Sequence, residues 1–212
     1  MSEASLGIEE RSMRIIESEI GTHDYTAPQW SIVRRVIHAT ADFDFAKPYR
    51  NGIIFSANAI ESAFEALKKR RYIVVDVDIV LAGINKKSAA KIGTSVICNI
   101  SNKDVLNISK NENKTRSKVA MRYSSKEVDD GIVVIGNAPT ALYELVNMIK
   151  EGVARPLLVV GIPVGFVSAE ESKLELSKTN IEFITNIGRK GGSPAASSII
   201  NALMLMYINN LD

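Results

Sequence analysis

Three apolar, strand-like runs in this chain each end in a glycine-containing turn and then enter a helical pattern. The turns are Gly136-Asn137-Ala138-Pro139-Thr140-Ala141, Gly161-Ile162-Pro163-Val164-Gly165 and Gly188-Arg189-Lys190-Gly191-Gly192-Ser193-Pro194. In a parallel α/β sheet such turns gather along one edge, where unpaired backbone N–H groups and helix N-termini favour anionic ligands. The active site is expected on that edge.

The remaining pattern fits such a sheet. Helical spacing runs over Ser12–Ile20 and Pro28–Ala39, the second with Trp30, Val33 and Ile37 on one face and Pro28 near its start. A third helix is read over Ala57–Lys69. Short β-branched runs predict strands at Tyr72–Val75, Ser95–Ile100, Ile132–Ile135, Leu157–Val160 and Ile181–Ile184. Helices are predicted at Ala138–Lys150, Ala169–Lys178 and Ala195–Ile208. This order predicts an α/β fold, a single domain over residues 1–212 with a mainly parallel, doubly wound sheet flanked by helices. The Asn- and Lys-rich stretch Ser101–Lys114 reads as a variable surface connection.

A chain of 212 residues with 46% hydrophobic and 24% charged residues can bury a substantial core. Its formal charge of +2 is too small for a nucleic-acid footprint, and the basic cluster Lys68-Lys69-Arg70-Arg71 falls where a helix end needs solvating. Met1-Ser2-Glu3-Ala4-Ser5 lacks the basic and apolar regions of a secretory signal, and the apolar stretch Leu157–Val167 is too short to cross a bilayer. A cytoplasmic protein with no membrane partner is expected. The single cysteine, Cys98, lies in the run Val96-Ile97-Cys98 and reads as a buried strand residue rather than a reactive thiol.

Within the first turn, Gly136 permits a sharp reversal, Asn137 can cap, and Pro139 fits only a helix's first turn. On its own that is a structural turn, and the same holds for Gly161–Gly165. The Gly188 segment says more, because Arg189 and Lys190 put two cations beside glycines and a helix start, as a carboxylate or phosphate site requires. His38 follows Arg35 by three residues and Arg34 by four, which makes them neighbours on a helix. A polycarboxylate bound there would offset the two cations and help His38 handle a proton, although a lone histidine beside arginines is more often a surface or packing residue. His23 has no partner at metal-ligand spacing, so no protein-held metal is expected. No Gly-x-Ser-x-Gly elbow follows a strand, and the Gly188 loop lacks dinucleotide-binding spacing, which leaves a serine hydrolase or nucleotide enzyme poorly motivated.

Jointly, Arg35-Val36-Ile37-His38-Ala39-Thr40-Ala41-Asp42, Thr115-Arg116-Ser117, Gly136–Ala141, Val164-Gly165-Phe166-Val167 with Glu171-Ser172-Lys173, and Gly188–Ser193 resemble the precorrin-8X methylmutase family, in family order across most of the chain. The resemblance implies a cofactor-free isomerase of cobalamin biosynthesis. Such an enzyme moves a methyl group from C11 to C12 of a tetrapyrrole by a [1,5]-sigmatropic shift. His38 matches the proton-handling, catalytic position: protonating the conjugated macrocycle eases the rearrangement, and binding the rearranged ring draws the equilibrium to product. Ser12, Arg35, Asn85, Arg116, Asn137 and Arg189 fall at positions the resemblance implies for substrate binding. A broad apolar ring edged by carboxylates needs an apolar cleft rimmed with arginines and N–H groups, which agrees with the edge inferred from the turns.

Two routes use such enzymes, one acting on the metal-free ring and one on its cobalt complex. His38-Ala39-Thr40-Ala41-Asp42-Phe43-Asp44 and Gly83-Ile84-Asn85-Lys86 look more like cobalt-route members, so cobalt-precorrin-8 is the expected substrate, with cobalt carried inside it. The family commonly forms homodimers with the site near the subunit interface, and the resemblance implies the same here. Lys118 departs from the pattern, standing where a small or apolar residue is expected. A non-catalytic corrinoid carrier is the alternative from another class; His38 together with Arg116 argues against it, because a carrier needs no placed proton donor. A phosphate- or nucleotide-binding enzyme using the Gly188 loop is a more distant alternative.

Overall fold

Valine- and isoleucine-rich runs supply six strands: β1 (Ile53–Phe55), β2 (Ile73–Val75), β3 (Val96–Cys98), β4 (Ile132–Ile135), β5 (Leu158–Gly161) and β6 (Phe183–Asn186). In this computed structural model, which describes residues 3–47 and 51–211, they form one sheet in the order β1-β6-β5-β4-β2-β3. The stretch read against a secretory signal begins outside the described residues, at Met1 and Ser2. Strands β2 to β6 pair in parallel and β1 runs antiparallel beside β6. The mainly parallel sheet is as expected, but β1 was missed: a three-residue edge strand is too short to show an alternation. Strand β6 lies two residues beyond the expected Ile181–Ile184, because the polar residues Thr185 and Asn186 are buried and extend the ladder. Thr185 pairs with Gly161 and with Ile54, and Asn186 with Ile53.

Alternate strand residues face opposite layers, as a two-residue repeat requires. Ile73, Val75, Ile132, Val134 and Val160 pack with α2 (Ala27–Thr40), α3 (Ala59–Lys68) and α11 (Ser193–Asn209). Val74, Val133, Ile135 and Val159 pack instead with α9 (Pro139–Lys150) and α10 (Ala169–Ser177). Helix α11 is apolar nearly all round and buries Ala195, Ala196, Ile199, Ile200, Leu203 and Met204, which suits the central helix of its layer. Helix α2 begins with a capping box, Thr26 accepting from the Gln29 amide and Gln29 from that of Thr26, and α1 (Glu3–Ile20) lies against it.

Four short helices escaped the sequence reading: α4 (Asp78–Gly83), α5 (Lys86–Ile92), α7 (Arg116–Tyr123) and α8 (Ser125–Val128). Ser101–Lys114 is also not simply a connection, since it contains α6 (Lys103–Asn111). Asn102 caps α6 by accepting the Asp104 amide, and Val105 is buried against Val119 and Ala120. Polar residues on the solvent face hid one short apolar stripe. No helix among the described residues is long and apolar enough to cross a membrane.

Strand order reverses between β2 and β4, so their carboxyl ends frame a crevice of the kind in which α/β proteins bind ligands. Here the protein fills part of that crevice with its own carboxylate. Asp76, 2% exposed, accepts the amides of Gly136 (3.2 Å), Asn137 (2.8 Å) and Ala138 (2.7 Å). The three glycine turns are also joined to one another: the Ile162 amide donates to Ile135, and that of Gly192 donates to Ile162. Gly136 sits so close to α11 that a Cβ there would lie 2.7 Å from the Ala196 Cβ. Replacing Asp76 by alanine leaves three buried or half-buried N–H groups without their acceptor, each costing on the order of 1–3 kcal/mol. Asp76→Ala is therefore expected to lower the urea unfolding midpoint, by about 3 kcal/mol or more in stability; an unchanged midpoint would show that another group takes over those amides.

Candidate active site

The third turn is built as a clamped loop. Its Arg189 carbonyl accepts the Gly165 amide (3.1 Å), and the Lys173 ammonium from α10 donates to the carbonyls of Gly188 (2.9 Å) and Lys190 (2.6 Å). Lys173 is 2% exposed, and burial pulls its amine down to about 7. Arg189 is exposed and lies with its guanidinium carbon 5.7 Å from the Phe166 ring centre, a cation–π contact. The expectation of two available cations is corrected by Lys190. Its ammonium is held by Asp42 (2.7 Å) and Asp44 (2.8 Å), raising its own pKa, while Lys190 and then Lys47 bring Asp44 down to about 2. Lys190 therefore ties the loop to the end of α2, and Arg189 is the loop's outward-facing cation.

His38 lies exposed in the last turn of α2, which ends at Ala41 in left-handed conformation just before Asp42. The Asp42–Lys190 contact therefore links the His38 turn to the Gly188 loop. One turn earlier, the two arginines do not stand as bare cations: Arg34 pairs with Glu17 (2.6 Å) and Arg35 with Glu9 (3.0 Å), both on α1. Arg35 lines an open cleft of about 480 Å³ between α1 and α2, together with Met13, Arg14 and Glu17. Ser12 is on α1, its hydroxyl donating to the Ile8 carbonyl (2.9 Å). A ligand carboxylate reaching Arg35 competes with Glu9, an exchange of one charged acceptor for another.

Arg116 is the first residue of α7 and is exposed. Its neighbour Ser117 shares a hydrogen bond with Thr140 (2.8 Å), which fixes the start of α7 beside the start of α9 and so beside the Gly136 turn. Asn137 is exposed on that turn, but it is not the cap: Ala138 occupies the cap position and the Asp76 carboxylate supplies the acceptor. Lys118 is accommodated by charge, its ammonium 3.4 Å from the buried Glu144 carboxylate, which also takes a hydrogen bond from Arg122. Asn85 caps α5, accepting the amides of Lys87 (3.0 Å) and Ser88 (3.1 Å), while its own amide donates to Asn201 on α11. Cys98 is half-buried, and burial pushes its thiol up to about 12, opposite to what a reactive thiolate needs.

Linked contacts thus bring Asn137, Arg116, Arg189 and the His38 turn onto one edge, with Ser12 and Arg35 on the adjoining α1–α2 pair. Asn85 stands apart, beside α11 eight residues, or about 12 Å of helix, beyond Ser193. Sequence reasoning missed Asp76, the Asp42–Lys190–Asp44 clamp and the role of Lys173. Asp76 had a readable signal, a carboxylate directly after the buried run Ile73-Val74-Val75; the other two depend on residues 15 to 148 positions apart and had none.

The sequence and the fold are similar to those of proteins already known. The model of the precorrin-8X methylmutase family matches residues 7–206. A cobalt-precorrin-8 methylmutase of Priestia megaterium is 46% identical, the match covering 94% of this chain and 87% of the relative. One of Methanocaldococcus jannaschii is 39% identical over 99% of this chain and 97% of the relative. The crystal structure of a precorrin-8X methyl mutase from Thermus thermophilus superposes with a TM-score of 0.87 at 35% identity, covering 96% of this chain and 98% of that one. With the family model and both relatives spanning nearly all of the chain, and the fold matching throughout, the protein belongs to the precorrin-8X methylmutase family.

Proposed function

We propose that the protein is an isomerase that moves a methyl group from C11 to C12 of a corrinoid precursor by a [1,5]-sigmatropic shift, converting cobalt-precorrin-8 to cobyrinate, or precorrin-8X to hydrogenobyrinate, in cobalamin biosynthesis. The observation that carries this reading is the match to methylmutases along residues 7–206. His38 is the proton donor: an imidazolium N–H protonates the conjugated ring, the methyl migrates with its bonding pair, and the proton is returned, so composition is unchanged as an isomerisation requires. Arg35, Arg116 and Arg189 take peripheral carboxylates, with Ser12 and Asn137 as neutral hydrogen-bonding partners; Asn85, expected there from the resemblance, instead caps α5 away from this edge. Exposed Phe166 and Val167, at 87% and 80%, give a broad ring an apolar surface beside Arg189. The same reading has a cytoplasmic homodimer act without nucleotide, flavin or protein-held metal, cobalt arriving in the substrate. Purified protein incubated with cobalt-precorrin-8 and no nucleotide is expected to develop the absorption spectrum of the rearranged ring; binding without spectral conversion would favour the carrier.

Two outcomes concern individual groups and a third the substrate. His38→Ala should lower turnover by about 100- to 10,000-fold, the usual worth of general acid catalysis, while unfolding stays cooperative, since the side chain is exposed. Near-normal turnover would remove His38 from the chemistry. Arg116→Ala and Arg189→Ala should each weaken corrinoid binding by about 1.5–3 kcal/mol, the worth of a hydrogen bond to a charged group; titrations with unchanged affinity in both would move the ligand off this edge. Finally, kcat/KM should be higher for the cobalt complex than for the metal-free ring, and chelator treatment of the apoprotein should change neither. Preference for the metal-free ring would reverse the branch assignment, and inactivation by the chelator would count against a mechanism without a protein-held metal.

A further inference from the structure

We infer that Lys173 is a positioning residue that holds the Gly188–Lys190 backbone so that Arg189 is presented to the ligand. The inference rests on the reading of Arg189 as a partner of a ring carboxylate. Lys173 is a buried amine whose hydrogen-bonding partners are two backbone carbonyls, one on each side of Arg189. Taking a lysine amine out of water is expensive, and an apolar side chain, such as Leu176 one turn on, would fill space on α10 at no such cost. What an apolar side chain cannot do is draw two loop carbonyls to one point. The loop's other contacts act in the same sense. The Asn186 side-chain amide also donates to the Lys190 carbonyl (2.9 Å), and the Arg189 carbonyl accepts the Gly165 amide.

Three successive carbonyls, of Gly188, Arg189 and Lys190, are thereby tied to three different elements. Their fixed planes set the backbone dihedrals of Arg189, and with them the direction of its Cα–Cβ bond. Gly191 lets the loop pack this closely: at φ +155° a Cβ there would approach the Ile162 carbonyl to 2.2 Å, and the next amide, of Gly192, donates to that same carbonyl. A side chain pre-ordered in this way need not be immobilised when the ligand arrives.

The test combines Lys173→Met, Arg189→Ala and the double variant, with cobyrinate as probe in absorbance titrations and amide hydrogen exchange at Gly165 and Gly192 as the report on the loop. Lys173→Met is expected to accelerate exchange at Gly165 and to weaken cobyrinate binding roughly tenfold, the upper end for one side chain newly ordered on binding. Because Lys173 acts through Arg189, the double variant should bind no more weakly than Arg189→Ala alone, whereas a merely structural role would make the two losses add. Additive losses, or wild-type exchange and affinity in Lys173→Met beside a weakened Arg189→Ala, would overturn the proposal. Wild-type affinity in Arg189→Ala would instead overturn the assignment of Arg189 on which it rests. Should Lys173→Met fail to fold, Lys173→Gln, with a neutral and shorter amide, carries the same comparison.

Discussion

The carboxylate of Asp76 is the constraint on which the edge depends. It sits where the strand order reverses, and its two oxygens accept three consecutive amides of the turn after β4. Burial pushes this carboxyl above its ordinary value, while the three N–H donors pull it back by favouring the ionised form. Each hydrogen bond to a charged group is worth about 1.5–3 kcal/mol, comparable in sum to the several kcal/mol that burying one ion costs. The net contribution to stability is therefore modest, but the geometric consequence is large. Fixing Gly136 fixes the start of α9; Thr140 then places α7 and Arg116, and the close approach of Gly136 to Ala196 and Ser193 places α11.

This has a consequence for the kind of ligand the edge suits. In an open α/β sheet the amides at the switch point commonly face a phosphate. In this chain those of Gly136, Asn137 and Ala138 already have an anion, and the Gly188 loop turns its carbonyls toward Lys173 and its Lys190 ammonium toward two aspartates. Positive charge is left at the rim, on long arginine side chains, with exposed apolar residues between. A compact phosphate finds little there. A wide apolar body carrying carboxylates on its margin finds charge where its margin lies, which agrees with a corrinoid and weighs against a nucleotide.

Much of the architecture was legible because it rests on local composition. Ile132–Ile135 reads as a strand in isolation, and the Ala-Pro pair at 138 and 139 announces a helix start without help from the rest of the chain. Legibility failed where a long-range contact decided the outcome. Asn137 looked like the cap of α9, and only the fold brings Asp76, 61 positions earlier, to its amide. Lys190 looked like a ligand for an anion, until Asp42, 148 positions earlier, folded against it. Thr185 and Asn186 lie beyond the expected end of the strand at Ile184, and only the fold brings the Thr185 hydroxyl and the Asn186 side-chain amide to the Gly161 and Lys190 carbonyls, to which they donate. His38 and Arg116 were singled out through the family resemblance, and Arg189 also through the glycines beside it; all three lie exposed at the surface.

That exposure, set on a tightly tied scaffold, is consistent with the chemistry proposed. A methyl shift within one molecule needs no second substrate, no nucleophile and no leaving group; the catalyst has only to orient the ring, lend it a proton and favour the rearranged form. Orientation of a rigid ring is achieved by a few charged groups at fixed separations rather than by an enveloping polar pocket. Here the supports of those groups are rigid by construction: Arg116 stands on a helix start fixed by Ser117–Thr140, Arg189 on a loop whose carbonyls are tied down, and His38 on a helix end joined to that loop through Asp42 and Lys190. On the proposed reading, the precision of the site resides in the contacts beneath these exposed side chains, with Lys173 buried and Ser117, Thr140, Asp42 and Lys190 half-buried.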